Sequence, residues 1–483
     1  MTTPASEPVS VGFGSADLSA ALPADLPVRD PVVARAFHVR STDTRTVWVV
    51  LDFMDLNRPF VEAVGAEVGR RTGVPLSHVH VLSTHNHAAS ELDRLDVAEA
   101  SRAAADAAAG AVEAAAPAHM AYSQTHVAPA LTLTRRRAVA ELDGAISCFY
   151  GVTAEEGFSC ESILRQAVRS LVQKGRMAYA DRDLDQPVPQ EAFIDTRRAD
   201  DPQAWRMPAG DPLLQVLRFE TAAGRPLGTV VRYACHVVNC NGQGFYSGDF
   251  PHFLSRALEE QLDGGCVFLN GPCADLAPAT PHKRAGYERT MGERLADVTA
   301  TALEGQPRAP VTVLRDLALP VSLPVRPDFP LDEAELECRL ERARAACEAV
   351  PAHDLATRKR LGEQVAMLST TPFLRQRWVP GEEPAHLERD NPVLRVELGG
   401  LRLNEVSLIA YPGETFRATG EAAAATANGP VITATEHGRT AMYMPPPEQL
   451  AQQGYEFTCR LVTERGEPTL RKAGLALLRR LRR

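Results

Sequence analysis

Five short stretches carry side chains able to hold a metal or move a proton. They are Ser83-Thr84-His85-Asn86-His87, Tyr233-Ala234-Cys235-His236, Phe268-Leu269-Asn270-Gly271-Pro272-Cys273-Ala274-Asp275, Tyr411-Pro412-Gly413-Glu414 and Ala441-Met442-Tyr443-Met444-Pro445-Pro446. The first four end or follow strongly apolar runs. Imidazole and carboxylate are donors that zinc accepts. Histidines two apart on an extended segment point to opposite sides, so one of His85 and His87 is expected to ligate and the other to assist, unless the strand has ended by then. The small residues around Gly271 can bring backbone N–H groups close to a ligand. Each stretch also has a plain structural alternative: hydrogen-bonded strand-end histidines, a satisfied lone His236, Asp275 as a helix cap, a solvated turn carboxylate at Glu414, and a packing tyrosine at 443.

The elements that must position these groups are legible as apolar runs. Residues 45–52 (RTVWVVLD) read as a buried strand, 58–72 as a helix, and 78–87 (HVHVLSTHNH) as a second strand, an order that favours a layered α/β fold. Alanine dominates 92–118, predicting one long helix that stops before Pro117. Further strands are expected at 213–220, 228–235, 266–270 and 405–410, most with polar groups at their C-terminal ends, where open α/β sheets place their sites. Residues 331–378 are charged and helical in period, flanked by proline-rich linkers, and read as an inserted or bridging helical element.

The 483 residues are 45% hydrophobic and 23% charged, enough for more than one core. The net charge of -9, from 61 acidic and 52 basic residues, gives no positive field for nucleic acid or anionic lipid. No run approaches the roughly 20 apolar residues that span a bilayer. The N-terminus lacks signal-peptide character, and the nine cysteines lack close CxxC pairs, so a reduced cytoplasmic protein is expected. The basic C-terminal stretch TLRKAGLALLRRLRR is expected to pack its leucines on the body, in preference to lying on a membrane surface.

Taken together and in order, the motifs resemble those of the neutral/alkaline (non-lysosomal) ceramidases. The likeness begins at Val11-Gly12-Phe13-Gly14-Ser15-Ala16-Asp17. It runs through Leu51-Asp52, Thr84-His85-Asn86-His87, Thr134-Arg135-Arg136, Tyr233-Ala234-Cys235-His236, Ser247-Gly248-Asp249-Phe250-Pro251, Asn270-Gly271 to Pro278, Pro412-Gly413-Glu414, and Tyr443 to Glu456, spanning most of 10–460. The resemblance implies one zinc ion held by His85, His236, Glu414 and Tyr443. It implies that His87 sits beside the metal-bound water or the substrate carbonyl, from where it could pass a proton to the leaving amine, and that Arg135 holds the developing oxyanion or the substrate's polar end. It further implies an α/β layered mixed-sheet catalytic body over 1–325, a helical insert over 326–395, and a small C-terminal lobe over 396–483 that completes the site.

Departures bear on the substrate. Ala277 stands where ceramidases carry a serine two residues after the aspartate, Ala88-Ala89-Ser90 replaces Ser-Gly-Pro, and Thr134 replaces asparagine. No counterpart of the ceramidases' additional β-sandwich domain is expected. The expected function is therefore a zinc amidohydrolase acting on a small or lipid-like N-acyl substrate, with 331–378 and 147–196 reshaping the pocket. Ester or lactone hydrolysis at the same metal, or a metal-binding but catalytically silent binding subunit, are the alternatives.

Overall fold

The structure is a computed structural model that describes residues 8–90, 92–128, 131–139, 144–147, 210–279, 286–326, 333–351, 354–378 and 393–483. Apart from Ser147, the stretch over 147–196 lies outside the described residues.

The chain opens with β1 (Ser10–Asp17), β2 (Val33–Arg40), β3 (Arg45–Leu51), α1 (Arg58–Thr72), β4 (Val79–Ser83), α2 (Val97–Glu113) and β5 (Ala116–Pro117). These strands form a sheet of order β4-β3-β2-β1-β5, with α1 and α2 on one face. Asn57 caps α1 through Phe60 N, and Asp96 caps α2 through Ala98 N and Glu99 N, as short polar side chains do at helix starts. The long alanine helix is shorter than its composition predicts. A 3-10 turn at Leu92–Arg94 precedes it, and the Asp96 cap delays its start. Alanine is required on its inner face because β1 is in backbone contact with it: a Cβ at Gly12 would fall 2.1 Å from Ala111 O.

A second sheet follows from β6 (His119–His126), while β7 (Thr132–Thr134), β8 (Arg136–Val139) and β9 (Gly144–Ser147) stand apart from it. It continues with β10 (Leu213–Glu220), β11 (Pro226–Tyr233), α3 (Asp249–Leu262) and β12 (Gly265–Asn270). Then come β13 (Leu276–Pro278), paired with β7, α4 (Tyr287–Leu303) and β14 (Ala309–Pro310). Its order is β12-β11-β10-β6-β14, and α3 and α4 cover its outer face with Phe250, Leu254, Met291 and Leu295. The inner faces of both sheets meet through Phe13, Phe37, Trp48, Phe219 and Leu269. Burial on both faces explains why β3 reads as a strongly apolar run.

A third sheet, β15-β16-β17-β19, joins β15 (Leu314–Pro324) to β16 (Val393–Leu403), β17 (Val406–Ala410) and β19 (Val431–Ala434). Between β15 and β16 lie α5 (Glu333–Ala349) and α6 (Leu355–Trp378), an antiparallel pair with its own small core of Leu336, Ala343, Cys347, Val365 and Leu368. After β17 come the two-residue β18 (Glu414–Thr415), α7 (Arg417–Ala425), β19, β20 (Tyr443–Met444) and the terminal α8 (Gly466–Arg482). Leu470, Leu477, Leu478 and Leu481 of α8 are buried in the core beneath this sheet, so the basic terminus packs on the body. No described helix is long and apolar enough to cross a membrane.

The architecture is thus α/β and layered, with mixed sheets. Each large sheet contains one parallel pair, β3 with β4, β11 with β12 and β17 with β19. The stretches singled out at His85, His236, Asn270 and Glu414 all lie at or beyond the C-terminal ends of strands from these pairs.

Candidate metal centre

The condition under which His85 and His87 can converge, that the strand has ended before them, is met. β4 ends at Ser83, and His85 takes a left-handed backbone (φ 64) that turns the chain out of the sheet. Thr84 N donates to Leu51 O, Asn86 N to Phe53 O and His87 N to Val237 O, so three neighbouring segments hold the new course. Asn86 locks it: its amide donates to Asp52 O and Ser247 O and its Oδ1 accepts from Ala88 N. As a result the two imidazoles converge, Nε2 to Nε2 at 3.2 Å.

His236 enters from the end of β11. Asn270, the last residue of the adjacent β12, binds Cys235 N and Cys235 O and also Thr84 O, so one buried amide staples the two histidine-bearing strand ends together. Glu414 and Tyr443 arrive as a register pair of the β18–β20 ladder. The site then closes within hydrogen-bonding range: His85 Nε2 to Glu414 Oε2 is 3.3 Å, His236 Nε2 to the same oxygen 3.1 Å, and His236 Nε2 to Tyr443 Oη 3.4 Å. Ligand nitrogens of His85, His87 and His236 all lie within 4.8 Å of one another.

Both inner histidines are oriented from behind. His85 Nδ1 lies 2.9 Å from Met54 O and His236 Nδ1 lies 2.8 Å from Cys273 O. A carbonyl only accepts, so each Nδ1 carries the hydrogen, and in the neutral ring Nε2 presents its lone pair to the site. This is the arrangement metal-bound histidines adopt. Zinc at its usual distance of ~2.0–2.2 Å sets tetrahedral neighbours roughly 3.3–3.6 Å apart, close to the separations found here. The donor set and its spacing fit a zinc ion.

Arg135 stands beside this cluster, 2% exposed, and donates through Nη2 to Tyr443 Oη at 2.9 Å and through Nε to Glu456 Oε1 at 2.9 Å. Glu456 also accepts from Arg136 Nη1 at 2.5 Å. Asp275 caps no helix of its own, because β13 follows it directly; its Oδ1 accepts instead from Arg417 N, the first residue of the distant α7.

The electrostatics are tightly linked. Burial pulls the His85 imidazole down, but Glu414, aided by Glu436 and the Met54 carbonyl, outweighs it and lifts the group to about 9. Burial and the nearby Arg135 guanidinium push His236 to about 4. His87 is driven well below the usual range by burial and by its two histidine neighbours. Glu414, despite a burial cost, is held well below the carboxylate range by His85 and His236.

All six residues named from the sequence, His85, His87, Arg135, His236, Glu414 and Tyr443, are therefore neighbours. Asn86, Asn270, Glu436 and Glu456 were not assigned roles. Asn86 and Asn270 lie inside motifs but were read only as part of them. Glu456 closes the last of the motifs and Glu436 lies outside them, and burial at 0% and 2% marks both out.

No known family profile matches this sequence, and no curated protein does either. Among solved structures the chain is similar to neutral ceramidase from Pseudomonas aeruginosa, with a TM-score of 0.60 at 15% identity, covering 98% of this chain and 75% of that one. It is equally similar to a ceramidase complexed with C2, with a TM-score of 0.61 at 15% identity and the same coverage. At that identity the likeness establishes the fold: this chain has the neutral-ceramidase architecture over nearly its whole length.

Proposed function

We propose that the protein is a zinc-dependent hydrolase that cleaves the amide bond of a small or lipid-like N-acyl substrate. The observation that carries this reading is the convergence of the His85 and His236 Nε2 lone pairs on Glu414 and Tyr443 at zinc-like spacing. The ceramidase fold supports the choice of an amide. The replacement of the ceramidases' serine by buried Ala277, in the ladder between β13 and β7, argues for a substrate other than ceramide itself.

In this reading His85, His236, Glu414 and Tyr443 hold the ion. Bound zinc would supply a Lewis acid that polarises the acyl carbonyl and acidifies a water. Arg135, already donating to Tyr443 Oη, is placed to donate to negative charge growing on the carbonyl oxygen. His87, at the more open edge of the cluster and neutral near pH 7, accepts the water's proton and passes it to the departing amine. Seven described cysteines are free thiols, which supports a reducing, cytoplasmic setting.

The test is metal analysis by mass spectrometry on the purified protein and its His85→Ala variant, followed by a panel of N-acyl substrates that includes ceramide. About one zinc per chain, lost in the variant, with turnover of an N-acyl amide is expected. A protein that takes up zinc but cleaves no amide in the panel would overturn the amidohydrolase reading.

A further inference from the structure

We propose that Glu436 is a positioning residue for His85: a carboxylate behind the imidazole that strengthens Nε2 as a metal donor. The inference rests on the metal-site reading above and adds a residue to it.

Glu436 follows β19 and is 2% exposed, with Oε1 3.7 Å from His85 Nδ1. Its backbone is left-handed (φ 57), a conformation a glutamate keeps only where its surroundings impose it. Hydrogen bonds from neighbouring segments impose it. Thr435 N donates to Asn270 O at 2.8 Å, Ser83 N to Glu436 O at 3.1 Å, His437 N to Tyr411 O at 2.9 Å, and Gly438 N to Val81 O at 2.7 Å. The Glu436 loop is thereby tied to the strand ends that deliver His85 and Glu414 and to Asn270 at the end of β12.

A second anchor comes from the side chain of the next residue. His437 Nδ1 faces the Glu397 carbonyl at 3.0 Å and so carries its hydrogen, which leaves Nε2 to accept from His80 Nδ1 at 3.0 Å. His80 Nε2 in turn meets the Asp316 carboxylate at 3.1 Å. This buried row fixes the Glu436 loop against β15 and β16 as well as β4.

The chemistry follows from the placement. His85 Nδ1–H is bonded to the Met54 carbonyl, with the Glu436 carboxylate 3.7 Å from Nδ1, and an anion on that side makes Nε2 a stronger donor toward the site. Glu414 and Glu436 place two buried carboxylates on either side of His85. A divalent cation at Nε2 supplies the matching charge, which buried anions require.

The experiment measures zinc affinity of the full chain by competition with a chromogenic chelator, alongside melting of the metal-free protein. Wild type, Glu436→Gln and Glu436→Asp are compared. Glu436→Gln should bind zinc roughly 10- to 100-fold more weakly at unchanged metal-free melting, with Glu436→Asp in between. Unchanged affinity in Glu436→Gln overturns the proposal, as does an affinity loss accompanied by collapse of metal-free stability in both variants. If Glu436→Gln fails to fold, Glu436→Asp decides by the same criterion. A wild type that binds zinc but cleaves no amide would sink the hydrolase reading and leave this inference standing on its affinities. A wild type that binds no zinc would sink both.

Discussion

Glu414 and Tyr443 face each other as register partners in a two-residue parallel ladder, although 29 positions apart in the chain, because Gly413 lets the backbone turn at φ 65 immediately before them. A Cβ at Gly413 would lie 2.6 Å from Ala441 N, two residues before the strand that carries Tyr443.

Gly413→Ala therefore meets both a disfavoured φ and a backbone clash. The variant should lose at least about 1–3 kcal/mol of stability and most of its zinc. Thermal melting with metal analysis checks this, and full zinc occupancy in a stable variant would show that the turn has room to relax.

Glu456 is fully buried and shared by Arg135 and Arg136. Glu456→Gln leaves two buried guanidinium groups without their carboxylate, which should cost on the order of 3–5 kcal/mol in urea unfolding. A cost below about 1 kcal/mol would mean that water reaches these arginines.

The Asp316–His80–His437 row predicts acid sensitivity. Burial opposes ionisation of Asp316, but His80 and His78 outweigh it and hold the carboxyl near 2, below its ordinary 3.8. A depressed acid contributes stability above its unfolded value, about 2 kcal/mol here, and loses it as pH falls from about 4 through 2. Burial and the neighbouring His80 hold His437 near 3, so the unfolded chain takes up a proton below about 6.5 that the fold refuses. Both effects weaken the protein as pH falls. Melting temperature followed from pH 7 to 3 should decline in the wild type, with a shallower fall below pH 4 in Asp316→Asn. Parallel curves would show that Asp316 is not the group responsible.

Leu477 of α8 is fully buried beneath the third sheet. Leu477→Ala should cost about 2–5 kcal/mol through lost contacts and the cavity left behind. Liposome binding with unchanged stability would instead favour a membrane role for this helix.

Much of the fold was legible because burial on both faces writes long apolar runs into the sequence. The strand at Leu213–Glu220 and the helix at Arg58–Thr72 fall where periodicity and caps place them. The six candidate site residues, named from the order of motifs shared with the ceramidases, are brought together by the fold. Local pattern could not decide that His85 and His87 face the same point. That depends on a left-handed turn held by hydrogen bonds to Leu51, Phe53 and Val237, residues brought close only by sheet packing. Nor could it pick out Glu436 and Glu456. A glutamate's role here is set by what surrounds it after folding, and in both cases those neighbours come from distant segments of the chain: His85 for Glu436, and Arg135 and Arg136 for Glu456.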